Sequence, residues 1–279
     1  MSNDGQRQKR PKLSIGTSVT EHYRKAGRLI SETAGGNYFF CPILQLLAPP
    51  PLAFLITKRL NPAEKMNLAN YIDHTILRAD CRLQDVETLC KEAVFHGYAA
   101  VCVPPFYVAQ AAALLEGEKV KVSTVAGFPM GYNSTPAKVE EIKRAIDDGA
   151  DEIDAVINFC AVKNNNWNFV SNDIDSMITA AHLKGKAIKV IFEMGLLTEE
   201  EAGRLCKIAL DAQADFLKAC TGFNGQEATL EAVQLLRRLA GEKARIATFG
   251  GIHSKEDAKR FVEAGVHRVG ILAGIAVAG

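Results

Sequence analysis

From residue 71 onward, eight short β-rich runs recur at nearly regular spacing. They lie near 71–75, 99–103, 122–127, 152–157, 188–193, 216–221, 245–249 and 267–272, and their starts are 28, 23, 30, 36, 28, 29 and 22 residues apart. Gaps of this size are too long for hairpins and fit a crossover helix between parallel strands. The segments between the runs carry helix signals. Leu83, Val86, Leu89, Cys90, Ala93 and Val94 mark one face, and Gly97 ends that stretch. Val139, Ile142 and Ile146 mark a second face, with Pro136 near its start. Thr198 and Glu201 have capping-box spacing. Leu230, Val233, Leu236 and Leu239 form a further stripe closed by Gly241, and Ser254 opens a helix that Gly265 closes.

Eight such units within residues 66–279 point to an α/β fold, a TIM-type (β/α)8 barrel. The competing architecture is an open doubly wound sheet, which the absence of GxGxxG after the first run disfavours. The chain stops soon after the eighth run, so a short or absent final helix is expected.

The 279 residues carry a net charge of +1 and are 48% hydrophobic, a globular mix that gives no bulk electrostatic case for nucleic acid. The charge is uneven: residues 1–65 hold a net +6 and the remainder a net −5. Residues 34–57 are uncharged and apolar enough to suggest a membrane span, but Pro42, Pro49, Pro50 and Pro51 argue against one. The basic leader also suits an organelle-targeting segment. The favoured expectation is that residues 1–65 are a poorly structured extension or non-native leader, and that Met66 begins the domain. Cysteines stand at 41, 81, 90, 102, 160, 206 and 220, with no CxxC and no secretory signal, so free thiols in a reducing, cytoplasmic setting are expected. No Cys/His cluster has zinc-ligand spacing, and no metal or other cofactor is expected.

Strand side chains alternate between faces. If Ile153, Ala155 and Ile157 face the helices, then Glu152, Asp154 and Val156 face the lumen. The same parity turns Phe216, Lys218 and Cys220 inward, with Lys189, Ile191 and Glu193, and Tyr71, Asp73 and Thr75. Charges in apolar strands are costly to bury. They either form an internal ion-pair network or serve chemistry. Lys218 lies at the C-terminal end of its run, where these barrels place chemistry. A lysine there beside inward acids suits a Schiff base, whose iminium is an electron sink for C–C cleavage. Gly222, Gly250, Gly251, Gly270 and Gly274 follow the last three runs, where backbone amides commonly bind phosphate.

These segments together resemble the deoxyribose-phosphate aldolase family over residues 66–279. The resemblance is carried, in order, by Tyr71-Ile-Asp-His-Thr-Ile-Leu77, Ala100-Val-Cys-Val-Pro104, Gly127-Phe-Pro-Met-Gly131, Gly149-Ala-Asp-Glu-Ile-Asp-Ala-Val-Ile-Asn158, Lys189-Val-Ile-Phe-Glu193, Asp215-Phe-Leu-Lys-Ala-Cys-Thr-Gly-Phe223 and Gly250-Gly-Ile252. It implies a class I aldolase that reversibly cleaves 2-deoxy-D-ribose 5-phosphate to acetaldehyde and D-glyceraldehyde 3-phosphate without a metal. It places Lys218 at the Schiff-base lysine and Asp154 at the proton-transfer acid. Asp73 falls at a supporting acid and Cys102 at a pocket cysteine, with Gly222, Gly250 and Gly251 left for phosphate. It also implies sugar-phosphate and aldehyde substrates and a homo-oligomer, with neither nucleic acid nor membrane as partner.

The chain departs from the family pattern in one corner. Ala247 stands where the family usually carries a second lysine before Gly-Gly, in a pattern like Lys-Ala-Ser-Gly-Gly; here the stretch is Ala247-Thr-Phe-Gly-Gly251. A pattern like Gly-Thr-Ser-Ser-Gly is replaced by Gly270-Ile-Leu-Ala-Gly274, and His253 stands where arginine is common. Lys189 could restore some of the missing positive charge, or could simply pair with Glu193 or Glu152. Two further functions follow from these departures. One is a Schiff-base aldolase for a less phosphorylated aldehyde; the other is a non-catalytic sugar-phosphate-binding barrel.

Overall fold

A computed structural model describes residues 67–225 and 227–272. Eight parallel strands close in sequence order: β1 (Ile72–Thr75), β2 (Ala100–Cys102), β3 (Lys121–Ala126), β4 (Glu152–Val156), β5 (Ala187–Ile191), β6 (Phe216–Lys218), β7 (Arg245–Phe249) and β8 (Arg268–Leu272). β8 returns to pair with β1, which excludes the open sheet. Helices α1 (Leu83–His96), α2 (Val108–Leu114), α3 (Thr135–Asp147), α4 (Phe159–Lys163), α5 (Trp167–His182), α6 (Glu199–Asp211), α7 (Leu230–Ala240) and α8 (Lys255–Glu263) run between the strands. The extension expected over 1–65, the boundary at Met66, Ala273, Gly274 and the expected short final helix lie outside the described residues. No helix among the described residues is long and apolar enough to cross a membrane.

Period-two alternation builds two cores. Ile153, Ala155, Ile188, Val190, Leu217, Ile246 and Val269 join the apolar layer under the helices, and all are fully buried. Each large aliphatic side chain in that layer stabilises the fold by about 1.5–3 kcal/mol. The alternate positions fill the lumen, and most of its charged side chains lie there. The register sets Asp154 opposite Lys189, Lys218 opposite Ala247, and Phe249 opposite Gly270.

The helix signals act as their chemistry requires. Thr198 Oγ1 accepts from the Glu201 amide at 3.2 Å, and the Glu201 carboxylate accepts from the Thr198 amide at 2.8 Å. In α1, Val86, Leu89, Cys90 and Ala93 are buried, whereas Leu83 and Val94 are exposed because they lie at the edges of the stripe that can dock. Two strands end two or more residues before their sequence runs do. β5 stops at Ile191, because Glu193 takes a left-handed conformation (φ 50°). β6 stops at Lys218, and Thr221 turns aside to Glu193.

One buried pair lies outside the lumen. Lys138 of α3 donates to Asp173 Oδ2 of α5 at 2.8 Å and to the Val156 carbonyl at 2.9 Å, while Thr135 Oγ1 donates to Asp173 Oδ1 at 2.7 Å. Burial lowers the Lys138 pKa against the pull of Asp173. This pair ties α3 to α5 beside the end of β4. Removing one partner strands the other charge in the core, so Asp173→Ala is expected to cost about 3–5 kcal/mol, read as a fall in the urea midpoint of unfolding.

Candidate active site

The lumen holds three carboxylates and three cations, all buried: Asp73, Glu152 and Asp154 against Lys189, Lys218 and Arg268. Lys189 is the hub. Its Nζ lies 2.8 Å from Asp154 Oδ1, 2.8 Å from Glu152 Oε2, 3.1 Å from Ser123 Oγ and 3.7 Å from Asp73 Oδ2. Arg268 closes the far side, with Nε 2.7 Å from Asp73 Oδ1, Nη1 3.0 Å from Glu152 Oε1, and Nη2 also donating to Asp73. Lys121, half-exposed, reaches Glu152 Oε1 at 2.9 Å. Lys218, the last residue of β6, donates to Asp154 Oδ2. Asp154 therefore divides its oxygens between the two lysines.

The shifts follow from this arrangement. Burial works to lower the Lys218 pKa, but the Asp154 carboxylate outweighs it and holds the ammonium above the ordinary lysine value. Lys189 is raised in the same way, against burial, by Asp154, Asp73 and Glu152. Burial opposes ionisation of Asp154, yet Lys189 and Lys218 together keep its carboxyl below the usual range. Burial pushes the Cys102 thiol up to about 12, so it stays protonated in the lumen wall.

Above Lys218 the mouth turns aromatic. The Phe249 ring centroid lies 5.5 Å from Lys218 Nζ. Phe223 stacks on Phe249 at 6.4 Å between centroids, and Phe128 meets Phe223 edge-on at 5.1 Å. Glu193 braces the loop after β6: its Oε2 accepts from the Thr221 amide at 3.1 Å, from the Thr221 hydroxyl, and from Asn224 Nδ2 at 2.9 Å. Of the two partners weighed for Lys189, the structure selects Glu152, and Glu193 belongs to this loop.

The structure thus brings Lys218 and Asp154 into direct contact and links Asp73 to them through Lys189. Cys102 lies in the same lumen, paired in register with Thr75 and Ser123. Gly222, Gly250 and Gly251 gather at the mouth, where a Cβ on Gly250 would come within 3.5 Å of Gly222 Cα. Cys220 departs from its inward parity. It lies past the end of β6 in the helix-side core, where its thiol donates to the Phe249 carbonyl at 2.7 Å. Sequence reading did not single out Arg268, Ser123 or Phe249. Parity could have found Arg268 and Phe249, two residues before Gly270 and two after Ala247. Among the described residues, no group of three or more His, Cys, Asp or Glu side chains could hold a metal ion.

The profile of the DeoC/LacD family aldolases matches residues 67–278. The deoxyribose-phosphate aldolase of Thermococcus gammatolerans is 42% identical over 214 residues, covering 76% of this chain and 95% of that one. That of Desulfitobacterium hafniense is 44% identical over 212 residues, covering 76% and 97%. The tetrameric deoxyribose phosphate aldolase of Aeropyrum pernix superposes with a TM-score of 0.69 at 29% identity, covering 73% of this chain and 86% of that one.

Lys189→Met tests the hub. It leaves three buried carboxylates with two buried cations, so a loss of about 3–5 kcal/mol in urea unfolding is expected. Glu152→Gln added to that variant removes one excess charge and is expected to restore part of the loss.

Proposed function

This chain belongs to the DeoC/LacD family of aldolases, and from that premise we propose that it is a class I deoxyribose-phosphate aldolase working through Lys218 and Asp154. The carrying observation is their buried contact at the C-terminal end of the barrel. In this reading the neutral Lys218 amine attacks the C1 carbonyl of open-chain 2-deoxyribose 5-phosphate. Loss of water gives an iminium. The C3 hydroxyl then gives up its proton, and the C2–C3 bonding pair moves into the iminium. Glyceraldehyde 3-phosphate leaves, and the acetaldehyde enamine stays on Lys218. Protonation at C2 and hydrolysis release acetaldehyde and restore the amine.

Asp154 suits both halves of this cycle. The iminium keeps the positive charge of the ammonium, so its counter-ion is already in place. The carboxylate also sits within reach to give and take the protons. Lys189 and Ser123 fix its other oxygen, so Asp154 is aimed as well as charged. Asp73 and Cys102 line the same lumen, and Gly222, Gly250 and Gly251 offer backbone at the mouth. Residues 1–65 stand outside this machinery as an extension, which the start of the family match at residue 67 supports. A homo-oligomer in a reducing cytoplasm completes the reading.

Charge balance explains what Ala247 changes. Three buried carboxylates are matched by three buried cations only while Lys218 is protonated. A lysine at 247, directly across from Lys218 on β7, would add a fourth cation and push one amine to release its proton. With Ala247 that pressure is absent, and Lys218 sits above the ordinary value. Held above the ordinary lysine value by Asp154, Lys218 stays overwhelmingly protonated at neutral pH. Slow turnover at neutral pH follows.

Two tests follow. Incubation with acetaldehyde and borohydride is expected to add one reduced adduct to the wild-type chain by intact mass and none to Lys218→Ala; no adduct on the wild type sinks the aldolase reading. The attacking form is the neutral one and the pKa is raised, so trapping rate should climb from pH 7 to 10 without a plateau. Ala247→Lys is expected to move that limb down by at least about one unit.

A further inference from the structure

On the N-terminal side of Lys218 the lumen is filled. The charged network lies there with Phe216, two residues earlier on β6, which is buried with Lys189 Nζ 5.8 Å from its ring centroid. A chain attached to Lys218 Nζ therefore grows toward the C-terminal mouth, past residues 219–225 that follow β6. The end of β5 fastens this segment. The Phe192 amide donates to the Lys218 carbonyl at 2.9 Å, and the Met194 amide donates to the Ala219 carbonyl at 2.7 Å. Glu193 lies between these two bonds in the left-handed conformation, which a glutamate holds only where its surroundings compel it.

The buried Glu193 carboxylate then reaches along the segment. The Thr221 amide, the Thr221 hydroxyl and Asn224 Nδ2 all donate to one oxygen, Oε2. Thr221 Oγ1 in turn accepts from the Phe223 amide at 3.1 Å, which sets the Phe223 ring against Phe128 of the loop after β3. Asn224 Nδ2 also donates to the Pro129 carbonyl of that loop at 3.3 Å. The β3 loop is itself pinned. The Gly127 amide donates to Glu141 Oε2 of α3 at 2.6 Å, and the Gly131 amide donates to the Gly127 carbonyl at 2.7 Å. Met130, Tyr132 and Phe223 are exposed, so the two loops border solvent at the mouth. One buried carboxylate thus decides where residues 221–224 lie against a fixed neighbour.

We infer that Glu193 is a positioning residue for the cleavage step: through Thr221 and Asn224 it holds the β6 and β3 loops at the spacing that aligns the substrate beyond C2. This rests on the aldolase reading and deepens it. Glu193 acts through the loops, since its side-chain hydrogen bonds go to Thr221 and Asn224. Alignment matters at this step because the C2–C3 bonding pair must overlap the iminium as the bond breaks, and a misplacement of about 1 Å costs on the order of 100-fold. Acetaldehyde has no atom beyond C2, so its capture by Lys218 needs no such alignment.

Two rates measured on the full chain separate the ends of the substrate. Borohydride trapping of acetaldehyde needs only the Lys218 end, whereas cleavage of 2-deoxyribose 5-phosphate needs C3 and beyond in place. Glu193→Ala is expected to leave trapping within about twofold of wild type and to lower kcat/KM for cleavage about 10- to 100-fold. Glu193→Gln keeps one acceptor oxygen and is expected to fall between the two. Asn224→Ala, at a half-buried position, cuts the bridge to Pro129 with Glu193 intact, and is expected to give the same split at about five- to tenfold. Equal loss of both rates in variants with native circular dichroism makes Glu193 a scaffold residue only and overturns the inference. Unchanged cleavage overturns it as well. If Glu193→Ala does not fold, Glu193→Gln and Asn224→Ala decide by the same split. No adduct on the wild-type chain fails the aldolase reading and this inference with it, whereas an adduct without the split sinks this inference alone.

Discussion

Three carboxylates and three cations share the dry lumen of this barrel, and the rest of the site depends on their balance. None of the six could be buried alone without losing several kcal/mol to desolvation. Together they hold one another in fixed positions, and Lys189 touches all three acids. The network spans β1, β4, β5, β6 and β8, so it forms only when the barrel is closed. Arg268 and Asp73, 195 positions apart in the chain, meet only because β8 pairs with β1.

That arrangement has a cost in reactivity. A lysine balanced by a buried carboxylate is stable and protonated, and a protonated lysine does not attack a carbonyl. A further lysine across the β6–β7 pair would add positive charge and relieve this. Here Ala247 leaves the balance intact and the space beside it apolar, and Phe249 occupies the lumen one step toward the mouth. Ala247 and Phe249 are neighbours on one strand face.

Much of this was legible in the sequence, for local reasons. The spacing of eight apolar runs allowed only crossover connections, and parity turned Glu152, Asp154, Lys189 and Lys218 inward. Thr198 and Glu201 announced a helix start because a capping box is a contact between residues three apart. Glu193 was less legible. Its parity was inward, but its left-handed backbone ends β5 and commits its carboxylate to Thr221 and Asn224. Lys138 reads as a polar residue on a helix, and nothing local reveals that Asp173, 35 residues on, lies within 2.8 Å.

The sequence by itself determined the strand count, the alternation that sorts lumen from helix layer, and the lysine and acid that face each other at the barrel's C-terminal end. These follow from backbone geometry that repeats every two residues or every turn, and so are written locally. Tertiary structure alone decided which charges pair. It assigned Lys189 to Glu152 and not to Glu193, brought Arg268 to Asp73, and placed the Phe249 ring between Gly222 and Gly270. Each of these contacts joins segments whose distance is set by barrel closure and register, and Coulomb attraction and van der Waals contact act only at the separations that closure creates.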